Sequence, residues 1–214
     1  MSLSFKAHVQ MLLKEHRGER VFQFEYLGKH YWLKQPEQLK GIWLLLKPHP
    51  KQHFKEECEI LQHLNNIGAP VPKLCDFGDD YLVLEDAGPT LNIWLNDETL
   101  SWADKSHILH SAIDILINLH QQSIIHGRPA IRDIAWKDGK ISFMDFESHS
   151  KSHNEHWLIT RDMLAFLDSL CRVKSLDDEK LDELFNYYKS HCPTTYWTDM
   201  LSYVRRFCWL YYLL

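Results

Sequence analysis

The sequence contains no G-x-x-x-x-G-K-[ST] segment, which excludes the glycine-rich phosphate cradle of a phosphate-loop NTPase. It also lacks a C-x-x-C pair. Its five cysteines, Cys58, Cys75, Cys171, Cys192 and Cys208, are scattered, which argues against a zinc ribbon or a disulfide framework and predicts reduced thiols in a cytoplasmic protein. No uninterrupted apolar run approaches the roughly 20 residues that cross a bilayer. The opening MSLSFKAHVQMLLKEHRGER has no long apolar core followed by a small-residue cleavage site, so no secretory signal is expected there. Positive charge is not in excess: the formal net charge of -5 argues against general affinity for nucleic acid, and none is expected as a partner. A repeat of solenoid length is absent as well.

What is present describes a folded chain. With 45% hydrophobic and 25% charged residues, 214 residues can bury one substantial core or two joined lobes. Histidine is abundant, and His149, His153 and His156 in SHSKSHNEH invite comparison with a metal site; a polar loop is the expectation for that run.

The coarse order of elements runs from strands to helices. RVFQFEYLGKHYWLKQ reads as two antiparallel strands turning at Leu27-Gly28-Lys29. Phe54, Cys58, Leu61 and Leu64 form a helical stripe that Gly68-Ala69-Pro70-Val71-Pro72 terminates. Residues 73 to 86 supply two further strands around Gly78-Asp79-Asp80. From Gly88 the character is helical: a short helix from Leu91, a long one over Trp102 to Leu119, and three more near 157–173, 177–190 and 195–214. The predicted fold class is α+β, with a small strand-rich N-terminal lobe over 1–86 and a helical lobe over 87–214.

The most informative segment is HGRPAIRDIAWKDGKISFMDFE. It sets Asp133 and Asp145, twelve positions apart, on either side of a short Asp-Gly turn, with Ile141-Ser142-Phe143-Met144 as an apolar strand leading to Asp145. Two carboxylates so placed can converge on one divalent cation. This spacing resembles the catalytic core of the protein kinase-like superfamily, specifically its small bacterial members such as lipopolysaccharide-core sugar kinases and aminoglycoside phosphotransferases, and the likeness covers nearly the whole chain.

The resemblance implies a bilobal fold binding ATP and Mg²⁺. Lys34, in Tyr31-Trp32-Leu33-Lys34, matches the strand lysine that holds nucleotide phosphates, and Glu57 matches the helix glutamate that orients it, with Glu56 and Glu59 off the expected face. The Glu85-Asp86-Ala87-Gly88 stretch looks like the hinge, where the Glu85 and Ala87 backbone would meet an adenine edge. His126-Gly127 opens the catalytic loop, His126 being structural. Arg128 then stands where the family has its proton-accepting aspartate, and an arginine, always protonated, can neutralise a phosphoryl group but not act as a base. Asp133 matches the metal-binding asparagine and Asp145 the aspartate of Asp-Phe-Gly, with Glu147 in place of the glycine. Asp162, after Arg161, matches a buried aspartate that ties its helix to the catalytic-loop backbone. The family's G-x-G-x-x-G is missing, so the turn near Gly18 or the backbone before Gln23 must cover phosphates less tightly.

The implied function is an ATP-dependent phosphotransferase acting on a sugar, glycolipid or other small-molecule hydroxyl, with Arg128, Asp133 and Asp145 at the chemistry. Two alternatives stand beside it. Arg128 suits a nucleotide-binding pseudokinase that serves a protein partner, and an atypical protein Ser/Thr kinase is disfavoured by the short stretch after Asp145 and the lack of an Ala-Pro-Glu-like motif. The aromatic segment from Tyr196 to Leu214 either packs on the helical lobe, the favoured expectation, or gives peripheral contact with an inner membrane.

Overall fold

In a computed structural model the chain is described over residues 3–37, 50–146 and 154–207. Its architecture is mixed α+β, strand-rich toward the N-terminus and mostly helical toward the C-terminus. The chain divides into two compact units, Met1–Ala87 and Gly88–Leu214.

The first unit opens with a helix, α1 (Phe5–Glu15), that is absent from the element order expected from the sequence. Ser4 caps it by accepting the Ala7 N–H at 3.4 Å, and Val9 and Leu12 are its buried face. Strands β1 (Val21–Tyr26) and β2 (Lys29–Lys34) follow, paired antiparallel with Tyr26 opposite Lys29. Leu27 and Gly28 both have positive φ, 50° and 75°, as a two-residue hairpin turn of matching twist requires. Helix α2 (Pro50–Asn66) then precedes β3 (Leu74–Gly78) and β4 (Tyr81–Glu85), completing an antiparallel sheet of order β1-β2-β4-β3.

Both faces of this sheet are covered, and β4 shows how. Tyr81 and Val83 pack with Val9, Leu12, Phe24 and Leu33 on the α1 side, while Leu82 packs with Phe54, Cys58 and Leu61 of α2. That is the period of two expected when successive side chains alternate across a strand. In the last turn of α2, Asn65 secures the chain reversal that follows: its amide donates to the Leu61 and Pro72 carbonyls and its oxygen accepts the Leu74 N–H at 3.0 Å.

In the second unit a short helix, α3 (Leu91–Asn96), leads to the long α4 (Trp102–Gln121). Helix α4 buries Ile108, Leu109, Ala112, Ile113, Leu116, Ile117 and Leu119, a stripe wide enough to be central to its unit. A single 3-10 turn at Ile131–Asp133 runs into the hairpin β5 (Ile134–Lys137) and β6 (Lys140–Phe143), closed by Asp138 and Gly139 with φ of 49° and 77°. Helices α5 (Glu155–Cys171), α6 (Asp178–His191) and α7 (Thr194–Phe207) complete the described chain.

The aromatic C-terminal segment packs internally as far as it is described. Tyr203 lies 4.8 Å from the Trp157 ring, Trp197 meets Tyr188 edge-on at 6.2 Å, and Asp199 binds His156 at 2.7 Å. Cys208 and the rest of 208–214 lie outside the described residues, as do Glu147, His149 and His153. Among the described residues no helix is long and apolar enough to cross a membrane. Cys58, Cys75, Cys171 and Cys192 are free thiols, and burial pushes each of them above the usual thiol range.

Candidate functional site

Lys34 ends β2 on the strand position opposite Leu82. Its Nζ lies 2.5 Å from Glu57 Oε1, and the two side chains are only 15% and 24% exposed. Glu57 reaches it because α2 buries the adjacent Cys58 and, one turn on, Leu61 against the sheet. The neighbouring glutamates have other partners: Glu56 accepts from Gln52 and lies 3.6 Å from His53, while the exposed Glu59 faces Lys55 at 3.8 Å. Helix phase thus assigns one of three nearby carboxylates to the strand lysine. A partly buried pair of this kind holds a long flexible amine in one place.

At the end of β4 the Glu85 N–H is committed to the Lys73 carbonyl at 2.9 Å, and the Asp86 N–H to the His30 carbonyl at 3.0 Å. An adenine edge at this stretch would therefore meet the Glu85 carbonyl as acceptor and draw its donor from Ala87. The Glu85 side chain is turned to Lys29 at 3.4 Å, and Asp86 accepts the Trp32 indole N–H at 2.8 Å.

In the second unit the loop from His126 is organised by one carboxylate. Asp162 on α5 is fully buried and accepts the His126 N–H at 2.8 Å and the Gly127 N–H at 3.0 Å, one on each oxygen. His120 Nε2 approaches the same carboxylate at 3.4 Å. Gly127 has a φ of 106°, so the chain passes Asp162 in a conformation that side-chain-bearing residues avoid. The buried His126 ring then links two segments: Nε2 lies 2.8 Å from the Met144 carbonyl, which accepts from it, and Nδ1 accepts the Arg128 N–H at 3.4 Å. That pair of bonds assigns the proton to Nε2. Phe143 and Phe146 flank the ring, with centroids 5.8 and 4.5 Å away.

Asp133 and Asp145 sit on the two sides of the hairpin, and the backbone joins them through the Met144 N–H, which donates to the Asp133 carbonyl at 2.7 Å. Asp145 is exposed and has a φ of 56°, the left-handed region that acidic residues tolerate better than most. Burial raises the Asp133 carboxyl above the usual carboxylate range; the Asp145 carboxylate pushes it the same way, while the Arg132 and Arg128 guanidiniums oppose both. Arg132 Nε lies 3.7 Å from Asp133 Oδ1. The two aspartates are thus close enough to repel and the two arginines close enough to compensate.

Asp133 and Asp145 offer at most two carboxylates, too few to hold a metal ion without other ligands. No group of three or more His, Cys, Asp or Glu able to hold a metal occurs among the described residues. Mg²⁺, however, commonly takes one or two carboxylates and completes its shell with water and substrate phosphates. A divalent cation would also turn the Asp133–Asp145 repulsion into attraction.

Two supporting residues carried no signal that sequence reasoning had used. His120 falls on the inward stripe of α4 with Ala112, Leu116 and Leu119, which made it an ordinary core position. Ser169 of α5 accepts the Ile131 N–H at 3.2 Å and donates to Phe166, pinning the 3-10 turn that carries Asp133.

Compared with known proteins, the chain is 48% identical over 210 residues to an "Uncharacterized protein" of Haemophilus influenzae, covering 98% of this chain and 87% of that one. It belongs to the same family as that protein. It is also 29% identical over 140 residues to a "Probable bifunctional tRNA threonylcarbamoyladenosine biosynthesis protein" of Methanosphaera stadtmanae, a likeness spanning 64% of this chain and a quarter (25%) of the archaeal protein. No family model matches.

Proposed function

We propose that the family to which this chain and the Haemophilus influenzae protein belong consists of ATP-dependent phosphotransferases with a bilobal, protein kinase-like fold, acting on a hydroxyl of a sugar, glycolipid or other small molecule. The observation that carries this reading is the partly buried Lys34–Glu57 pair, a strand amine fixed by a helix carboxylate before any ligand arrives. Such placement matters because phosphoryl transfer is accelerated chiefly by positioning and by charge laid out in advance.

In this reading Lys34 holds phosphate oxygens and Glu57 fixes the amine. Asp133 and Asp145 would hold Mg²⁺, which when bound would supply charge neutralisation to the phosphates. Glu85 and Ala87 meet the adenine through their backbone. Asp162 and His126 keep the loop rigid by the hydrogen bonds described above. Arg128 supplies positive charge to the transferring phosphoryl group. The acceptor oxygen attacks the terminal phosphorus, the bond to the bridging oxygen breaks, and ADP leaves. Asp133 orients the acceptor hydroxyl, or the acceptor's proton departs late to phosphate or water, because a dissociative transition state demands little base assistance.

A nucleotide-binding pseudokinase serving a protein partner is the second reading, and Arg128 in the place of a proton acceptor is the observation that favours it. The protein Ser/Thr kinase reading is weaker, since Asp145 and the first residue of α5, Glu155, leave little chain for a peptide platform. Cytoplasmic placement, with peripheral contact at an inner membrane if the acceptor is a glycolipid, goes with the leading reading.

The deciding assay follows label from γ-labelled ATP with Mg²⁺ into a panel of sugars, glycolipids and, given the likeness to the archaeal tRNA threonylcarbamoyladenosine biosynthesis protein, tRNA. Transfer above ATP hydrolysis to a small-molecule acceptor supports the enzyme. Nucleotide binding without transfer to any acceptor favours the pseudokinase, and incorporation into protein substrates alone favours the third reading.

A further inference from the structure

The second unit contains a cavity of about 670 Å³ whose wall includes Arg128, Arg132, Arg172 and Lys174. Its lining brings together α3, the 128–132 loop, α5 and the residues after it, all within one unit. Asp168 is the only carboxylate among the described lining residues, and it already binds Arg172 through two contacts of 2.8 and 3.1 Å. Four cations against one carboxylate is a local reversal of the chain's -5 balance. Concentrating like charge around a concavity raises the local positive potential and gathers anions there.

Resting on the phosphotransferase reading, we propose that the acceptor is itself anionic, a sugar-sized molecule whose phosphate or carboxylate group is held in this cavity by Arg132, Arg172 and Lys174. Guanidinium groups suit this task, since their forked donors match the oxygens of either anion. The size of the cavity agrees with a small molecule, falling within the roughly 300–1,000 Å³ of ordinary ligand sites. The Asn92 and Asn96 amides also line it and can meet neutral hydroxyls. Ser169, another lining residue, ties the Ile131 backbone to α5.

The cavity adjoins the proposed chemistry. Arg132 lies both in its wall and 3.7 Å from the Asp133 carboxylate, and Arg128 lines the wall while acting electrostatically on the same carboxylate. An anion seated on Arg132, Arg172 and Lys174 leaves the remainder of a sugar free to bring a hydroxyl toward Asp133. This also gives Arg128 a reason to replace an acid: a carboxylate at that position would repel an anionic acceptor.

The test is calorimetric titration of the full chain, without ATP or Mg²⁺, against glucose 6-phosphate, glucuronate, inorganic phosphate and glucose. The anions should bind at least about tenfold more tightly than glucose, and more weakly as salt is raised through the range where the Debye length falls below about 10 Å. Preference for glucose 6-phosphate over glucuronate assigns a phosphorylated acceptor, and the reverse assigns a sugar acid. The double variant Arg132→Gln/Lys174→Gln should lose at least about tenfold in anion affinity, a range accessible to exposed charge contacts acting together. Lys140→Gln, which alters an exposed lysine outside the cavity lining, should retain anion binding. The proposal is overturned if glucose binds as well as the anions, if no anion binds, if the double variant is unaffected, or if Lys140→Gln abolishes the binding. Mg-ATP affinity, measured separately on the same proteins, keeps the two readings apart. Anion binding without Mg-ATP binding defeats the phosphotransferase and leaves the cavity standing, whereas Mg-ATP binding with indifference to anions defeats the cavity alone.

Discussion

The two units hold their charged groups in opposite ways. In the first, Lys34 and Glu57 have opposite charge, lie 2.5 Å apart and are mostly shielded from water. In the second, Asp133 and Asp145 have the same charge, and Asp133 is held above its ordinary range by burial and by its neighbour. The first arrangement is satisfied without a ligand. For Asp133, the Arg132 and Arg128 guanidiniums offset burial and the Asp145 charge only in part, and a divalent cation would oppose the same two effects. A closed ion pair therefore marks the first unit and a raised carboxyl beside a like charge the second, a division that makes the variants on each side behave differently.

Asp145→Asn should show the largest effect, because it removes a full charge from the proposed ion site without disturbing a buried group. Metal-dependent transfer should fall by about 10³-fold while the circular dichroism spectrum and Tm stay near those of the parent. Unchanged transfer would remove Asp145 from the chemistry. Asp162→Ala should act on stability instead. It strands the buried His126 and Gly127 N–H groups, each unsatisfied donor costing about 1–3 kcal/mol, so urea denaturation should report a loss of about 2–4 kcal/mol. A loss below about 1 kcal/mol would mean that the loop finds other acceptors. Lys34→Ala should reduce transfer by about 10²-fold, and Glu57→Gln by less, since the amine remains and only its orienting charge is lost. Equal losses in both would argue that the ion pair acts as one unit.

The same contrast explains what could be read from the sequence. Both hairpins were legible because Leu27-Gly28 and Asp138-Gly139 carry short-range turn chemistry. Glu57 could be separated from Glu56 and Glu59 because helix phase follows from the stripe Phe54, Cys58, Leu61 and Leu64. Helix α1 is faint in the sequence: Ser4 and the spacing of Phe5, Val9 and Leu12 mark it, but the interspersed lysines, histidine and glutamine dilute its apolar signal. His120 has no distinguishing local pattern among fourteen histidines, and only the fold shows that its ring is buried in α4. The cationic cavity had no local signature whatever. Its walls come from residues near 92, 128 and 172, and only folding brings them together.

The smallest expected effect is also the sharpest test of the comparison, because it reverses the usual sign. The Asp133 carboxyl titrates above its unfolded value, so its protonated form is favoured in the folded chain. The associated stability is fully present below the unfolded pKa and is lost as pH rises through the folded one. At neutral pH the charged Asp133 therefore opposes folding, and Asp133→Asn should raise Tm slightly; a gain of about 1 kcal/mol corresponds to roughly 2–4 °C in a chain of this size. The gain should shrink as pH falls below the carboxylate range, where the parent is already protonated, and saturating Mg²⁺ with nucleotide should reverse it by stabilising the parent alone. A Tm profile in which Asp133→Asn is destabilising at pH 7 would show that Arg128 and Arg132 already overcompensate the burial and repulsion. In that outcome the second unit, like the first, would be electrostatically complete before any ion arrives.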